Sequence, residues 1–287
     1  MIALHAGRLT LELRPEVGGS VTEFRLDARP ILRPTTADAL ASQGARGAAS
    51  YPLVPYSNRL RDNRFRFMGR SYDLPPTLNG QVIHGVGWRR PWQVSAASAT
   101  RATLVYDHAP DVEWPFAFRA EQDFMLDAEG LSCRLAAINL APHEAPMGMG
   151  PHPFFARPPG TRLTFTAACV WHHDAKKIPT HATAVPPEWD FSAGRDVAGV
   201  VLDHCFTDWG SRAEIHLPYA RVEFTADALF RHLIVFTPEG RDFFAVEPVT
   251  NLTDGLNRMH TEPMSNIFLL QPDERVEASF RLAVTPA

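Results

Sequence analysis

The sequence predicts an all-β fold: a large antiparallel β-sandwich with few short helices. Three observations carry this expectation. Short runs of period-2 hydrophobic alternation recur from one end of the chain to the other, 25 prolines are spread among them, and helical periodicity is nearly absent. Alternation sends successive side chains to opposite faces of a strand, so one face can be buried while the other meets water. Proline lacks an N–H and disrupts helix interiors, which leaves it to turns and sheet edges.

The elements follow in order. LTLELR (9–14) and VTEFRL (21–26) alternate cleanly and are separated by the turn-forming PEVGGS. ADALASQGARGAAS (37–50) is the one stretch that suits a helical turn or two. RFRFMG (64–69) alternates arginine with phenylalanine, which puts Arg64 and Arg66 on an outward face. RATLVYD (101–107), FAFRAEQDFML (116–126) and LSCRLAAINL (131–140) continue the series, followed by RLTFTA (162–167), RVEFTAD (221–227) and LIVFTP (233–238). FFAVEPV (243–249), NIFLLQP (266–272) and VEASFRLAV (276–284) complete it. Each is bounded by Gly, Pro, Asn or Asp, the usual strand punctuation. No fixed-period repeat points to a propeller. The segments 36–50 and 186–196 read as surface loops rather than linkers, so a single domain over residues 1–287 is expected.

Composition narrows the function. The chain is 45% hydrophobic and 21% charged, with 28 basic and 32 acidic side chains and a net charge of -4. That balance, with no long basic block, argues against nucleic acid as a partner. Cys133, Cys169 and Cys205 are odd in number and widely spaced, which fits free thiols better than disulfides or a zinc site. The N-terminus lacks the pattern of a signal peptide, and no apolar run reaches membrane-spanning length. A soluble cytoplasmic protein without a membrane partner, either a monomer or a homodimer, is the expectation.

Five short motifs carry unusual polar residues. In GPHPFF (150–155), His152 stands between two prolines; it cannot lie inside a helix and belongs to a stiff loop or strand edge. A rigidly held imidazole suits proton transfer, although a turn histidine before a core Phe pair reads equally simply. PYSNRL (55–60) displays Asn58 and Arg59, either as hydrogen-bonding groups for a polyol or as a capped turn with a surface arginine. In HGVGW (84–88), glycines around Val86 let the backbone approach a ligand closely, with His84 as a polar group and Trp88 and Trp92 as nearby sugar-stacking surfaces. A Gly-rich turn with core tryptophans is the plainer alternative, and Arg89 and Arg90 read as solvated charges. LDHCF (202–206) offers Asp203 as an acceptor for hydroxyls or as a turn residue, with His204 on the opposite face. In AVEPVT (245–250), Glu247 ends an apolar strand before Pro248; partial burial would raise its pKa towards that of a useful base.

Taken together and in this order, these motifs resemble the aldose 1-epimerase (galactose mutarotase) family along nearly the whole chain. The resemblance implies a supersandwich fold, in agreement with the strand reading. It also implies a reaction that interconverts α and β anomers of a free aldose by ring opening and closure, without metal or cofactor. By resemblance, Glu247 is the base at the anomeric hydroxyl and His152 the acid at the ring oxygen. Asn58, Arg59, His84 and Asp203 then bind the monosaccharide. His152 and Glu247 are expected to face one cleft across a gap the size of a sugar ring. Many family members carry Asn or Thr before the histidine and Tyr after it; Pro151 and Pro153-Phe154 stand here, and the missing hydroxyl bears on sugar preference. Two alternatives stay open. One is a hexose-6-phosphate 1-epimerase using Arg59, Arg61, Arg64 and Arg66; the other is a non-catalytic sugar-binding domain on the same fold.

Overall fold

The computed structural model describes residues 1–287. Every paired strand in it is antiparallel, and two large sheets dominate. Nine strands form the first, in the spatial order 195–196, 162–165, 212–217, 220–226, 275–286, 130–139, 118–127, 101–108 and 93–97. Six strands form the second, in the order 154–156, 243–249, 232–237, 202–207, 169–173 and 179–184. A four-stranded N-terminal sheet (2–6, 9–14, 20–26 and 29–30) and three two-stranded ribbons complete a large antiparallel β-sandwich, as the sequence predicts. The helices are short, Ala37–Gln43 and Gly255–Arg258. Thr36 caps the first by accepting a hydrogen bond from the Ala39 N–H, as its position before an Ala-rich turn favours.

Alternation explains how the layers meet. Along Phe243–Val249, Phe244 and Val246 enter the large hydrophobic core, while Ala245 and Val249 belong to a smaller cluster on the other face. Leu233 and Val235 likewise point to the core, and Ile234 to the other face. Across the core, Phe155 lies 6.0 Å from Phe224 and Phe165 lies 5.0 Å from Phe206, ring to ring. The six-stranded sheet is thus covered on one face by the nine-stranded one. Its opposite face is available for a site.

The strands legible in the sequence are present, several at the expected limits: Leu9–Arg14 and Phe243–Val249 match to the residue. Arg64 and Arg66 face outward while Phe65 and Phe67 are buried. The strands Cys169–His173, Pro179–Ala184 and Leu202–Thr207 lack the apolar–polar alternation that would announce them. The first and last carry polar residues on a half-covered site face, and the middle one is an exposed edge.

Two local expectations change. The strand does not end at Glu247 but runs through Pro248 to Val249, and it is second from the edge. A Cβ at Gly150 would lie 2.6 Å from the Pro248 carbonyl oxygen, so Pro248 turns its main chain away from strand His232–Thr237. The missing N–H therefore removes no bond from that ladder. The segment 36–50 has the helical turns expected of it, the helix Ala37–Gln43 and the 3-10 turn Gly44–Gly47, but it is more than a surface loop because it walls the cavity described next.

Candidate functional site

His152 and Glu247 are brought together by strand register. Phe154 pairs with Ala245, Phe155 with Phe244 and Ala156 with Phe243. Continuing that antiparallel register places His152 directly across from Glu247. Regular pairing stops at Pro153, which has no N–H to give. The His152 N–H turns instead to the Tyr51 carbonyl at 3.0 Å, and Gly150–Pro151 pairs with Pro52–Leu53. His152 thus sits between two short strands, as its prolines require, with its ring between Phe154 (4.3 Å) and Tyr51 (4.6 Å).

The two side chains touch. His152 Nε2 lies 3.3 Å from Glu247 Oε1, and both residues are almost fully buried. They do share one cleft, but the expected sugar-sized gap between them is absent. Burial pushes the Glu247 carboxyl well above the usual carboxylate range, and the nearby charge of Asp203 adds to the effect. Burial also pushes His152 well below the usual histidine value, reinforced by His84 and by the charge of Arg33. Each group disfavours its charged form when alone, so the pair favours a protonated carboxyl beside a neutral imidazole, one proton in all. Glu247 Oε2 and His152 Nδ1 have no hydrogen-bond partner in the protein.

Around this pair lies a cavity of about 550 Å³ on the free face of the six-stranded sheet. All six residues singled out in the sequence line it: Asn58, Arg59, His84, His152, Asp203 and Glu247. Asn58 and His84 hold each other. The Asn58 N–H donates to His84 Nδ1 at 3.0 Å, and the His84 N–H donates to the Asn58 carbonyl at 2.9 Å. Both adopt left-handed backbone conformations, with φ of 64° each. Because Nδ1 accepts, the imidazole proton of His84 lies on Nε2. Burial, with Arg59 and Arg46 nearby, lowers the His84 pKa to about 3, so the ring is a neutral donor at neutral pH.

Arg59 is fixed in turn by Gln81 Oε1 (3.1 Å) and Asn58 Oδ1 (3.1 Å). Asp203 is the second residue of strand Leu202–Thr207, not a turn residue, and pairs with Lys177 Nζ at 3.5 Å. His204 points the other way, stacked on His173 and tilted against Trp189. Behind Asn58, the Asn251 side chain accepts from the Ser57 N–H (2.9 Å) and donates to the Ser57 and Leu252 carbonyls. It ties the PYSNRL turn to the chain leaving the Glu247 strand.

Several expectations about the surroundings are corrected. Trp88 and Trp92 do not line the cavity; both are buried, with indole N–H groups donating to the Ile83 and Gly87 carbonyls. The cavity aromatics are Tyr51, Phe154, Phe236 and Phe243. The glycines of HGVGW serve close packing rather than a ligand: a Cβ at Gly85 would lie 2.4 Å from the Val54 carbonyl oxygen. Arg89 and Arg90 are ion-paired to Glu113, and Arg90 also to Asp111, rather than simply solvated. The arginines after Arg59 do not gather into a phosphate site. Arg61 pairs with Asp174, Arg64 with Asp73, and Arg66 faces solvent.

The sequence reading missed Arg33, Arg46 and Tyr51. Arg33 stacks over Phe154 at 3.6 Å and Phe243 at 4.6 Å, and its Nε donates to the Ala48 carbonyl at 2.9 Å. Its signal was a lone arginine closing the apolar run PIL before Pro34. Arg46 and Tyr51 sit in an irregular stretch with no pattern to mark them.

Comparison with known proteins identifies the family and the fold. The family described as aldose 1-epimerase matches residues 2–283. The YphB protein of Escherichia coli K12, itself uncharacterised, is 30% identical over 98% of this chain and 97% of its own. A crystal structure from Escherichia coli K12, provisionally named an aldose 1-epimerase, superposes with a TM-score of 0.89 at 27% identity, covering 99% of this chain and 98% of that one. A galactose mutarotase-like protein from Clostridium acetobutylicum shares the fold at TM-score 0.89 and 20% identity, over 99% and 95% of the two chains.

Proposed function

The chain belongs to the aldose 1-epimerase family, and from that premise we propose that it interconverts the α and β anomers of an aldose by acid–base ring opening. The contact between His152 and Glu247 inside a cavity roomy enough for a sugar carries the reading. Glu247, as carboxylate, takes the proton from the anomeric hydroxyl, and the O–H electrons form the C1 carbonyl. The C1–ring-oxygen bond breaks with its electrons going to the ring oxygen, which takes a proton from the His152 imidazolium. Rotation about C1–C2 and the reverse steps, with the two roles exchanged, close the other anomer.

The contact between the two groups suits this chemistry. The anomeric hydroxyl and the ring oxygen are bonded to the same carbon, so neighbouring groups can address both, and a ring-sized separation is unnecessary. The pair holds one proton before and after ring opening, first as carboxylate and imidazolium, then as carboxylic acid and imidazole. Burial favours the second, uncharged form, which supports stabilisation of the open-chain state. His84, Asn58, Arg59 and Asp203 are the hydroxyl-binding groups in this scheme. No metal or organic cofactor has a step in it.

The chain reads as one domain because a single hydrophobic cluster takes members from Leu4 to Val284. Three free cysteines support a cytoplasmic, reducing setting. Anomer exchange followed by polarimetry or NMR across a panel of neutral and charged aldoses tests the activity. Acceleration over buffer for any of them supports it; no acceleration for the whole panel would overturn it in favour of a sugar-binding domain.

A further inference from the structure

The cavity carries more positive charge than a neutral sugar uses. Arg33, Arg46, Arg59 and Arg241 line it, against two aspartates, Asp203 and Asp242, and the one-proton His152–Glu247 pair. None of the four arginines lies within 4.0 Å of a carboxylate oxygen. Some arginines on the sheet surfaces, such as Arg119, Arg134, Arg221 and Arg281, are ion-paired, and others, such as Arg66 and Arg101, stand separately in solvent; the four at the cavity differ from both in lining one concave space. Asp203, which could have neutralised one of the four, is engaged by Lys177 instead.

Arg33 is held only by uncharged groups. Its Nε and Nη2 donate to the Ala48 and Arg46 carbonyls, its face covers Phe154, and Nη1 makes no hydrogen bond. That arrangement fixes the guanidinium next to Arg46 without neutralising either charge. The Arg46 and Arg241 side chains, half-buried and exposed respectively, make no hydrogen bond within the protein. Like charges gathered in a cleft repel one another and focus a positive field into it, an arrangement that favours an anion of complementary shape. The planar fork of a guanidinium matches phosphate and carboxylate oxygens.

We infer that the substrate is an aldose bearing an anionic group, phosphate or carboxylate, that is held by Arg33, Arg46 and Arg241 while its anomeric carbon lies at His152 and Glu247. This rests on the epimerase reading above and names its substrate class. The site differs from the arginine series following Arg59, which is dispersed over the surface.

Anomer exchange of D-glucose, D-glucose 6-phosphate and D-glucuronate, measured by NMR at low and high salt, tests it. At least one anion should exceed glucose in kcat/KM by about 10- to 100-fold, the effect of one or two hydrogen bonds to a charged group. Added salt should shrink that preference. Arg46→Met and Arg241→Met should each lower the ratio of charged to neutral sugar; Arg241 is exposed, so its replacement leaves the core intact, and a melting curve checks both variants. The anion that wins distinguishes phosphate from carboxylate. If glucose matches both anions, or if neither substitution moves the ratio, the inference falls and the epimerase reading stands. If no sugar is accelerated, the epimerase reading falls first.

Discussion

His152 and Glu247 meet, 3.3 Å apart, because they are cross-strand neighbours in a register that proline interrupts. The pairing of Phe154 with Ala245 fixes both positions, and Pro153 releases the histidine backbone to Tyr51. The side chains are thereby left in contact on the sheet face that carries the cavity.

Replacing the carboxylate should remove most of the catalysis. Glu247→Gln keeps size and burial but cannot accept the anomeric proton, and a loss of roughly 10²–10⁴-fold in kcat is expected for a lost acid–base group. Polarimetry at saturating sugar reads this directly. Activity close to that of the unaltered protein would take Glu247 out of the mechanism.

The two groups should also fail together. Because the two act as one acid–base unit in the proposed reaction, His152→Gln combined with Glu247→Gln should cost little more than either change alone. Rate losses that multiply would mean that the residues act independently, contrary to their contact.

Asn58 should matter chiefly through binding. Its Oδ1 accepts from both the Arg59 N–H and Arg59 Nη1, and its φ of 64° makes glycine the replacement that leaves the backbone unstrained. Asn58→Gly is expected to raise KM by about 10-fold, the loss of an oriented charged donor, with a smaller change in kcat. An equal fall in kcat with KM unchanged would place Asn58 in the chemical step instead.

Gly150 should tolerate no side chain. A Cβ there would meet the Pro248 carbonyl oxygen at 2.6 Å and the Val249 Cα at 3.0 Å, forcing apart the two segments that carry His152 and Glu247. Gly150→Ala is predicted to lower stability by about 1–3 kcal/mol, as overpacking does, and to reduce activity in the surviving fold. Urea unfolding with parallel assays measures both; wild-type stability would show that the strands yield.

Stability should fall on mild acidification. Burial lowers His84 to about 3 and His232 to about 4, so both stay neutral in the fold while an unfolded chain takes up protons below the usual histidine value of about 6.5. The unfolded state then binds more protons, so stability rises with pH across this window, by up to ~1.4 kcal/mol per pH unit for each group. Glu247 opposes the trend, because its raised pKa lets the fold keep a proton that the unfolded chain loses as pH rises through the ordinary carboxylate value. Unfolding midpoints at pH 7 and pH 5 should differ accordingly, and His232→Gln should flatten the slope. A pH-independent midpoint would contradict the buried neutral histidines.

By itself the sequence determined the β class, the positions of the strands that alternate most clearly and the identities of the six polar residues that line one cavity. Those features are local: alternation, proline and glycine positions, and short motifs act over a few neighbouring residues. Pro151 and Pro153 alone kept His152 out of any helix. Other features needed the folded chain. Register decided that His152 and Glu247 touch rather than face each other across a gap. Cross-strand approach, not ligand access, decided where the HGVGW glycines were needed. The gathering of Arg33, Arg46 and Arg241 around one cavity, none of them ion-paired, belongs to the tertiary structure alone. Charge acts through space, and residues far apart along the chain have no sequence pattern that records whose field they will share.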